Sequence, residues 1–155
     1  MNDRLQNKIF SNSFLVDLMD HISESIYIYD ENGYTVFINK AAQQYENVKS
    51  EDIIGKHIND MYIQDYSPSL TALETGQKVI DPQNSYIING KECIQDTRSY
   101  PIYEGNQLIG VYTIEKDLTT IKQMVDESIN YQKKLGSKKV SFETLVGQDE
   151  QFLRC

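Results

Sequence analysis

The pair Asn89-Gly90 constrains this chain most, because it sits between two runs, Lys78 to Ile88 and Lys91 to Tyr103, that alternate apolar and polar residues. Asn-Gly accepts the positive φ angles of a two-residue hairpin turn, and alternation is the pattern of a strand with one buried face. These residues therefore fold as antiparallel sheet, which excludes an all-helical bundle. Glu104-Gly-Asn106 repeats the turn signal and leads into a further strand, Gln107 to Lys116. Asp81-Pro82 interrupts the first of the three strands, as proline does at a sheet edge.

The N-terminal half supplies the rest of the sheet. Ser25-Ile-Tyr-Ile-Tyr-Asp30 and Tyr34-Thr-Val-Phe-Ile38 flank the turn Glu31-Asn-Gly33 and predict a second hairpin. Asn39 is placed to cap a short helix through Ala41, Ala42 and Tyr45. Ser50 opens another, with Glu51 and Asp52 at its positive end and Gly55 as its left-handed stop. A third runs from about Pro68 through Leu70 and Leu73 to Gly76. Two strands, three short helices and three strands close most simply as an α+β domain: a five-stranded antiparallel sheet with the helices over one face. A cavity between the two layers is the natural ligand site.

Charge and composition narrow the function. The 155 residues carry 15 Lys+Arg against 23 Asp+Glu, a net charge of −8, so direct contact with nucleic acid is not expected. Cys93 and Cys155 stand far apart without a histidine cluster, which predicts neither a disulfide framework nor a metal site and points to a reducing, cytoplasmic compartment. No apolar run approaches the roughly 18 residues that cross a bilayer, so no membrane partner is expected. His21 and His57 read as surface or capping residues. No glycine-rich loop leads into a helix to cradle phosphate, and no catalytic set is assembled, so neither an enzyme nor a cofactor is expected.

Two flanking segments have helical patterns. Leu5, Ile9, Val16, Met19 and Ile22, with Asn12 between them, predict an N-terminal flanking helix over residues 1–20. Its stripe, widened by Phe10, Phe14, Leu15 and Leu18, serves either as a dimer seam whose register Asn12 fixes or as a face docked on the domain's own sheet. Leu118, Ile121, Val125 and Leu135, with Ser128 and Gln132 filling the other positions, predict a helix over 120–135. Counted from Leu118 to Leu135, about 18 residues at 1.5 Å each would extend roughly 27 Å, as a coiled-coil seam of a homodimer or as an ordinary amphipathic helix. Gly136-Ser-Lys-Lys139 begins a linker.

The long strand carries the chemistry. Cys93, Gln95, Thr97 and Ser99 share one face, and Ile94, Asp96, Arg98 and Tyr100 the other. Alternation alone does not say which faces inward. On the last strand Val111, Thr113 and Glu115 share a face, and an inward Glu115 would pair with a cationic group; the other reading is a solvated carboxylate at the strand end. Tyr27 and Tyr29 are further candidate walls. A different reading makes Asp30 or Asp96 a base working against a tyrosine donor in a small isomerase or hydrolase.

Taken together, Ile28-Tyr-Asp30 with Gly33, Phe37-Ile-Asn39-Lys-Ala-Ala42, Ile53-Ile-Gly55, Tyr100-Pro-Ile102 and Leu108-Ile-Gly110 running to Asp117-Leu-Thr119 resemble a Per-Arnt-Sim (PAS) sensory domain over Met19 to Thr119. The resemblance places the domain at 21–119 and turns Gln95, Thr97 and Ser99 inward. It makes Asp117, Leu118 and Thr119 the junction to an outgoing signalling helix. Cys93 lies on a strand rather than on the central helix where a flavin photosensor of this fold carries its reactive cysteine, so light sensing is not expected. Ser141-Phe-Glu-Thr-Leu-Val-Gly147 with Phe152 is similar to the start of the AAA+ domain of sigma-54-dependent activators, and Ser99 to Gly110 is similar to the sensory segment of RocR-type arginine-utilisation regulators. Those resemblances imply that 136–155 is a linker and the start of a truncated AAA+ domain. With Gln95, Thr97 and Ser99 turned inward, and with Thr113, Glu115 and Tyr29 if their faces also point inward, the polar lining suits a small polar ligand such as an amino acid; the resemblance to activators implies that the full-length protein acts on sigma-54 RNA polymerase. A ligand-free dimerisation module is the alternative.

Overall fold

The computed structural model describes residues 3–136, in two compact units that divide between Leu118 and Thr119. The first begins with helices α1 (Asp3–Phe10) and α2 (Ser13–Asp20), then strands β1 (Ser25–Asp30) and β2 (Thr35–Ile38). Helices α3 (Lys40–Glu46), α4 (Ser50–Ile53), α5 (Ile58–Met61) and α6 (Pro68–Thr75) follow, and then strands β3 (Val79–Ile88), β4 (Lys91–Glu104) and β5 (Gln107–Asp117). The second unit contributes α7 (Thr119–Gly136), of 18 residues. The resemblances at 141–152 lie outside the described residues.

The sheet is antiparallel throughout, in the order β2-β1-β5-β4-β3. Asn89 and Gly90 take φ angles of 49° and 77°, as the tight β3–β4 hairpin requires. The register of β3 on β4 shifts between Asp81 and Asn84, so the proline-marked interruption is a bulge in an edge strand. Gly110 lets β5 approach β1 closely: a methyl group there would collide with the Tyr29 carbonyl oxygen and the Leu5 side chain.

Two expectations need correction. The N-terminal flank is two helices, because Asn12 is not a seam residue: its side chain accepts from the Leu15 amide at 3.2 Å and caps α2. Four short helices, not three, join the hairpins. The additional α5 has four residues, too few for any periodicity to register, and is capped by His57, whose Nδ1 accepts from the Asn59 amide at 3.0 Å.

Around β1 and β2 the sheet is buried on both faces, by different chemistry. On the outer face Ile26, Ile28, Val36, Phe37 and Ile109 pack with Leu5, Ile9 and Met19 from α1 and α2. The N-terminal stripe therefore docks at these positions on the domain's own sheet, while Phe10, Phe14 and Leu18 stay exposed. On the inner face Tyr27, Tyr29, Ile38 and Val111 meet Ala42, Ile53, Ile58 and Ala72 from the helices. Asn39 ties these layers to the N-terminal segment. Its Oδ1 accepts from the amides of Ile26 and Ala42, and its Nδ2 donates to the carbonyls of Met19 and Glu24, at 2.9 to 3.0 Å. Among the described residues no helix is long and apolar enough to cross a membrane.

Candidate functional site

Alternation along β4 places Cys93, Gln95, Thr97 and Ser99 on the inner face, each at most 1% exposed. Thr113 and Glu115 join them from β5, opposite Ser99 and Thr97 in register, and Tyr29 from β1. The structure thus brings all six candidate residues to one buried face. Four of the six fall into two hydrogen-bonded groups.

Nearer α6 there is a triangle of hydroxyls. Ser69 Oγ lies 2.7 Å from Thr113 Oγ1 and 3.4 Å from Ser99 Oγ, and Ser99 Oγ lies 2.8 Å from Thr113 Oγ1. The three hydroxyls satisfy one another and fasten α6 to the centre of the sheet. Ser67 caps that helix through the Leu70 amide, and Pro68 supplies its first turn.

The other group is a cluster of acids and phenols centred on a residue the sequence reading passed over, Glu46 at the end of α3. Its carboxylate accepts hydrogen bonds from Tyr27 Oη at 2.8 Å, Tyr86 Oη at 2.8 Å and Tyr62 Oη at 3.0 Å. Tyr86 Oη also lies 3.2 Å from Glu115 Oε2 and bridges the two acids. Gln95 Nε2 completes the group, 2.5 Å from Tyr86 Oη and hydrogen-bonded to Glu115, while Gln95 Oε1 is buried without a partner. Between these side chains and the 64–69 segment is a cavity of about 20 Å³, lined by Tyr27, Tyr29, Tyr62, Gln64, Ser69 and Glu115 among others. That is room for about one water molecule. The interior is polar but nearly filled, rather than an open hollow.

The electrostatics follow from burial. Glu115 is pushed up to about 8, first by loss of solvation and then by the charge of Glu46, against a hydrogen bond from Tyr86 that pulls it down. Burial also raises Glu46, whose three phenol donors and whose attraction to Lys91 oppose the rise. Tyr27, Tyr29, Tyr62 and Tyr86 are all held well above the ordinary phenol range, mainly by burial and also by the two carboxylates.

The remaining candidates fall outside this cluster. Asp30 is fully buried, but its Oδ1 accepts from the amides of Asn32 and Tyr34 at 3.0 Å and serves the β1–β2 turn. Asp96 lies on the face of β4 opposite Gln95 and approaches Arg98 at 3.7 Å. Neither converges with a tyrosine on the cavity, so the acid–base pair suggested for an isomerase or hydrolase is not assembled from them. His21 ends α2 and His57 caps α5. At the junction, the Leu118 amide donates to the Ile94 carbonyl at 3.0 Å. Among the described residues no three His, Cys, Asp or Glu side chains group to hold a metal ion.

Glu46 carried one signal in the sequence. It lies four residues after Ala42 in a short helix, which puts it on the same, inward face.

Comparison with known proteins accords with this geometry. Residues 19–123 match the family model described as the PAS fold. The chain is 28% identical over 134 residues to the transcriptional activator RocR of Bacillus subtilis, covering 84% of this chain and 28% of that protein. It is 27% identical over 153 residues to a signal-transduction and transcriptional-control protein of Clostridium beijerinckii, covering 97% and 23% respectively. The chain therefore spans about a quarter of the length of these curated relatives. Among solved structures, the PAS domain of nitrogen regulation protein NR(II) from Vibrio parahaemolyticus superposes with a TM-score of 0.58 at 16% identity, over 68% of this chain and 99% of that one. The E. coli DhaR(N)–DhaL complex has a chain that superposes with a TM-score of 0.56 at 15% identity, over 74% and 38%. At these identities the structural likeness concerns the fold.

Proposed function

The chain belongs to the PAS-fold family, and from that premise we propose that residues 21–119 are the sensory module of a cytoplasmic sigma-54-dependent transcriptional activator, responding to a small polar ligand such as an amino acid. The observation that carries this reading is the inner face itself. Two carboxylates, three phenols and a glutamine with an unpartnered oxygen are buried, with the partly buried Tyr62 beside them, where an ordinary core would be apolar. Leaving one buried polar atom unsatisfied costs roughly 1–3 kcal/mol, so the arrangement gains from a polar occupant. In this reading Gln95, Glu115 and Tyr29, with Glu46, contact the ligand, and Thr97, Ser99 and Thr113 continue the polar wall.

The size of the cavity dictates how the signal would arise. A space of about 20 Å³ does not admit a whole amino acid, so such a ligand selects a conformation in which the 64–69 segment and α6 have moved off the sheet. Every 1.4 kcal/mol by which the ligand prefers that conformation shifts the populations about tenfold. The shift passes along β4 and β5 to Asp117, Leu118 and Thr119 and on to α7. In the full-length protein the resemblance to the AAA+ entrance and the regulatory relatives makes transcription by sigma-54 RNA polymerase the output.

One observation favours a second role. Ile121, Met124, Val125 and Ile129 of α7 are exposed, as the seam of a homodimer would be in an isolated chain. Calorimetry with a panel of amino acids, alongside sedimentation, separates the readings. Saturable binding by one of them supports the sensor. A tight dimer that binds none of them leaves the dimerisation module.

A further inference from the structure

In the acid–phenol cluster one hydroxyl proton stands between two carboxylates, and an additional proton would relieve the contact it leaves unbonded. Tyr86 has one hydroxyl proton but stands within reach of Glu46 Oε2, at 2.8 Å, and Glu115 Oε2, at 3.2 Å. Gln95 Nε2 donates toward both Tyr86 and Glu115, so it offers Tyr86 no acceptor. If Tyr86 donates to Glu46, its oxygen faces the Glu115 oxygen as one acceptor facing another. A proton on Glu115 resolves this, giving a chain in which Glu115 donates to Tyr86 and Tyr86 donates to Glu46. Glu46 is the natural anionic end, since Tyr27 and Tyr62 also donate to it and the cation nearby is Lys91.

The groups facing Glu115 come from every layer around it: Glu46 from α3, Tyr27 and Tyr29 from β1, Tyr62 after α5, Tyr86 from β3, and Gln95 and Thr97 from β4. Cys93 of β4 is on the same face, its thiol raised by burial and by Glu46. Lys91 is engaged elsewhere, donating to the Tyr45 carbonyl and lying 4.0 Å from the centre of the Tyr45 ring.

Building on the sensory reading above, we propose that Glu115, Tyr86 and Glu46 share one proton in the resting domain, and that the ligand presents a primary ammonium group which takes the place of that proton between the two acids. Glu115–OH loses its proton to solvent as the ammonium group arrives, so charge and protons balance: one positive charge enters and one leaves. An ammonium group is a compact point charge that fits at one position between the two carboxylates, whereas a guanidinium is a wide planar fork. The site therefore favours an ammonium over a guanidinium by the shape of the charge, and either over a neutral group. Free methylammonium and the side chain of L-lysine share the required chemistry.

The first test needs no ligand. The carboxyl carbon of Glu115, followed by NMR between pH 5 and 9 on the full chain, is expected to titrate near 8, and Glu46→Gln is expected to lower that midpoint by about one unit or more. An ordinary carboxylate midpoint overturns the proposal. The second test measures binding of methylammonium, L-lysine, L-arginine and L-norleucine at pH 7 and pH 9. Methylammonium or lysine should bind about tenfold more tightly at pH 9, with that dependence lost in Glu115→Gln, while arginine and norleucine bind more weakly. Binding that ignores pH overturns the exchange. If only uncharged polar amino acids bind, this proposal fails and the sensory reading survives; if no amino acid binds, both fail. Glu46→Gln provides the same comparison should Glu115→Gln not fold.

Discussion

The two faces of this sheet are chemically opposite where each is buried. Outside, Ile26, Ile28, Val36 and Phe37 meet Leu5, Ile9 and Met19, and stability there comes from apolar area removed from water. Inside, Tyr27, Tyr29, Gln95, Thr113 and Glu115 are as inaccessible as the outer residues, yet each brings a polar atom that has to be matched. The outer apolar cluster contains no titratable side chain. The inner face holds together through a specific count of donors, acceptors and protons, and a change of charge state is felt there first.

Stability measured by urea unfolding across pH gives the largest separation of the two faces. Between pH 4.5 and 8 the native Glu115 keeps a proton that the unfolded chain has released, so stability is expected to fall as pH rises through that window, by up to about 1.4 kcal/mol per unit. Glu115→Gln should flatten this slope, and a wild-type curve without it would erase the contrast. On the outer face Ile28→Ala should cost about 3 kcal/mol at every pH, a loss set by the methyl groups removed and the space left behind. Thr113→Val, which breaks the hydroxyl triangle beneath α6, should cost about 1–2 kcal/mol, and hydrogen exchange should show the loosening in α6 before it appears in α1. Asn12→Ala removes the cap of α2 and should cost about 1 kcal/mol by denaturant unfolding, without altering the pH slope.

What could be read in advance divides along the same line. Alternation in β4 and the Asn89-Gly90 turn were sufficient to group Gln95, Thr97 and Ser99, because period-two geometry is local and the turn fixes register. The inner cluster was legible only on its strand side. Glu46 projects from the last turn of a seven-residue helix, where an acidic residue ordinarily faces water, and its three tyrosine partners come from positions 27, 62 and 86. No local pattern joins them. The break at Asn12 was hidden for the converse reason: the apolar spacing runs straight through it, and only the cap hydrogen bond shows that the backbone does not.

Asn39 has a mechanical consequence. Because its one amide holds Met19, Glu24, Ile26 and Ala42 together, the helix that ends in Glu46 is latched to the N-terminal arm as firmly as to the strands. Any displacement of that helix by an occupant must either drag the arm along or break the latch. News of the interior therefore has a way out at the front of the domain as well as at its back.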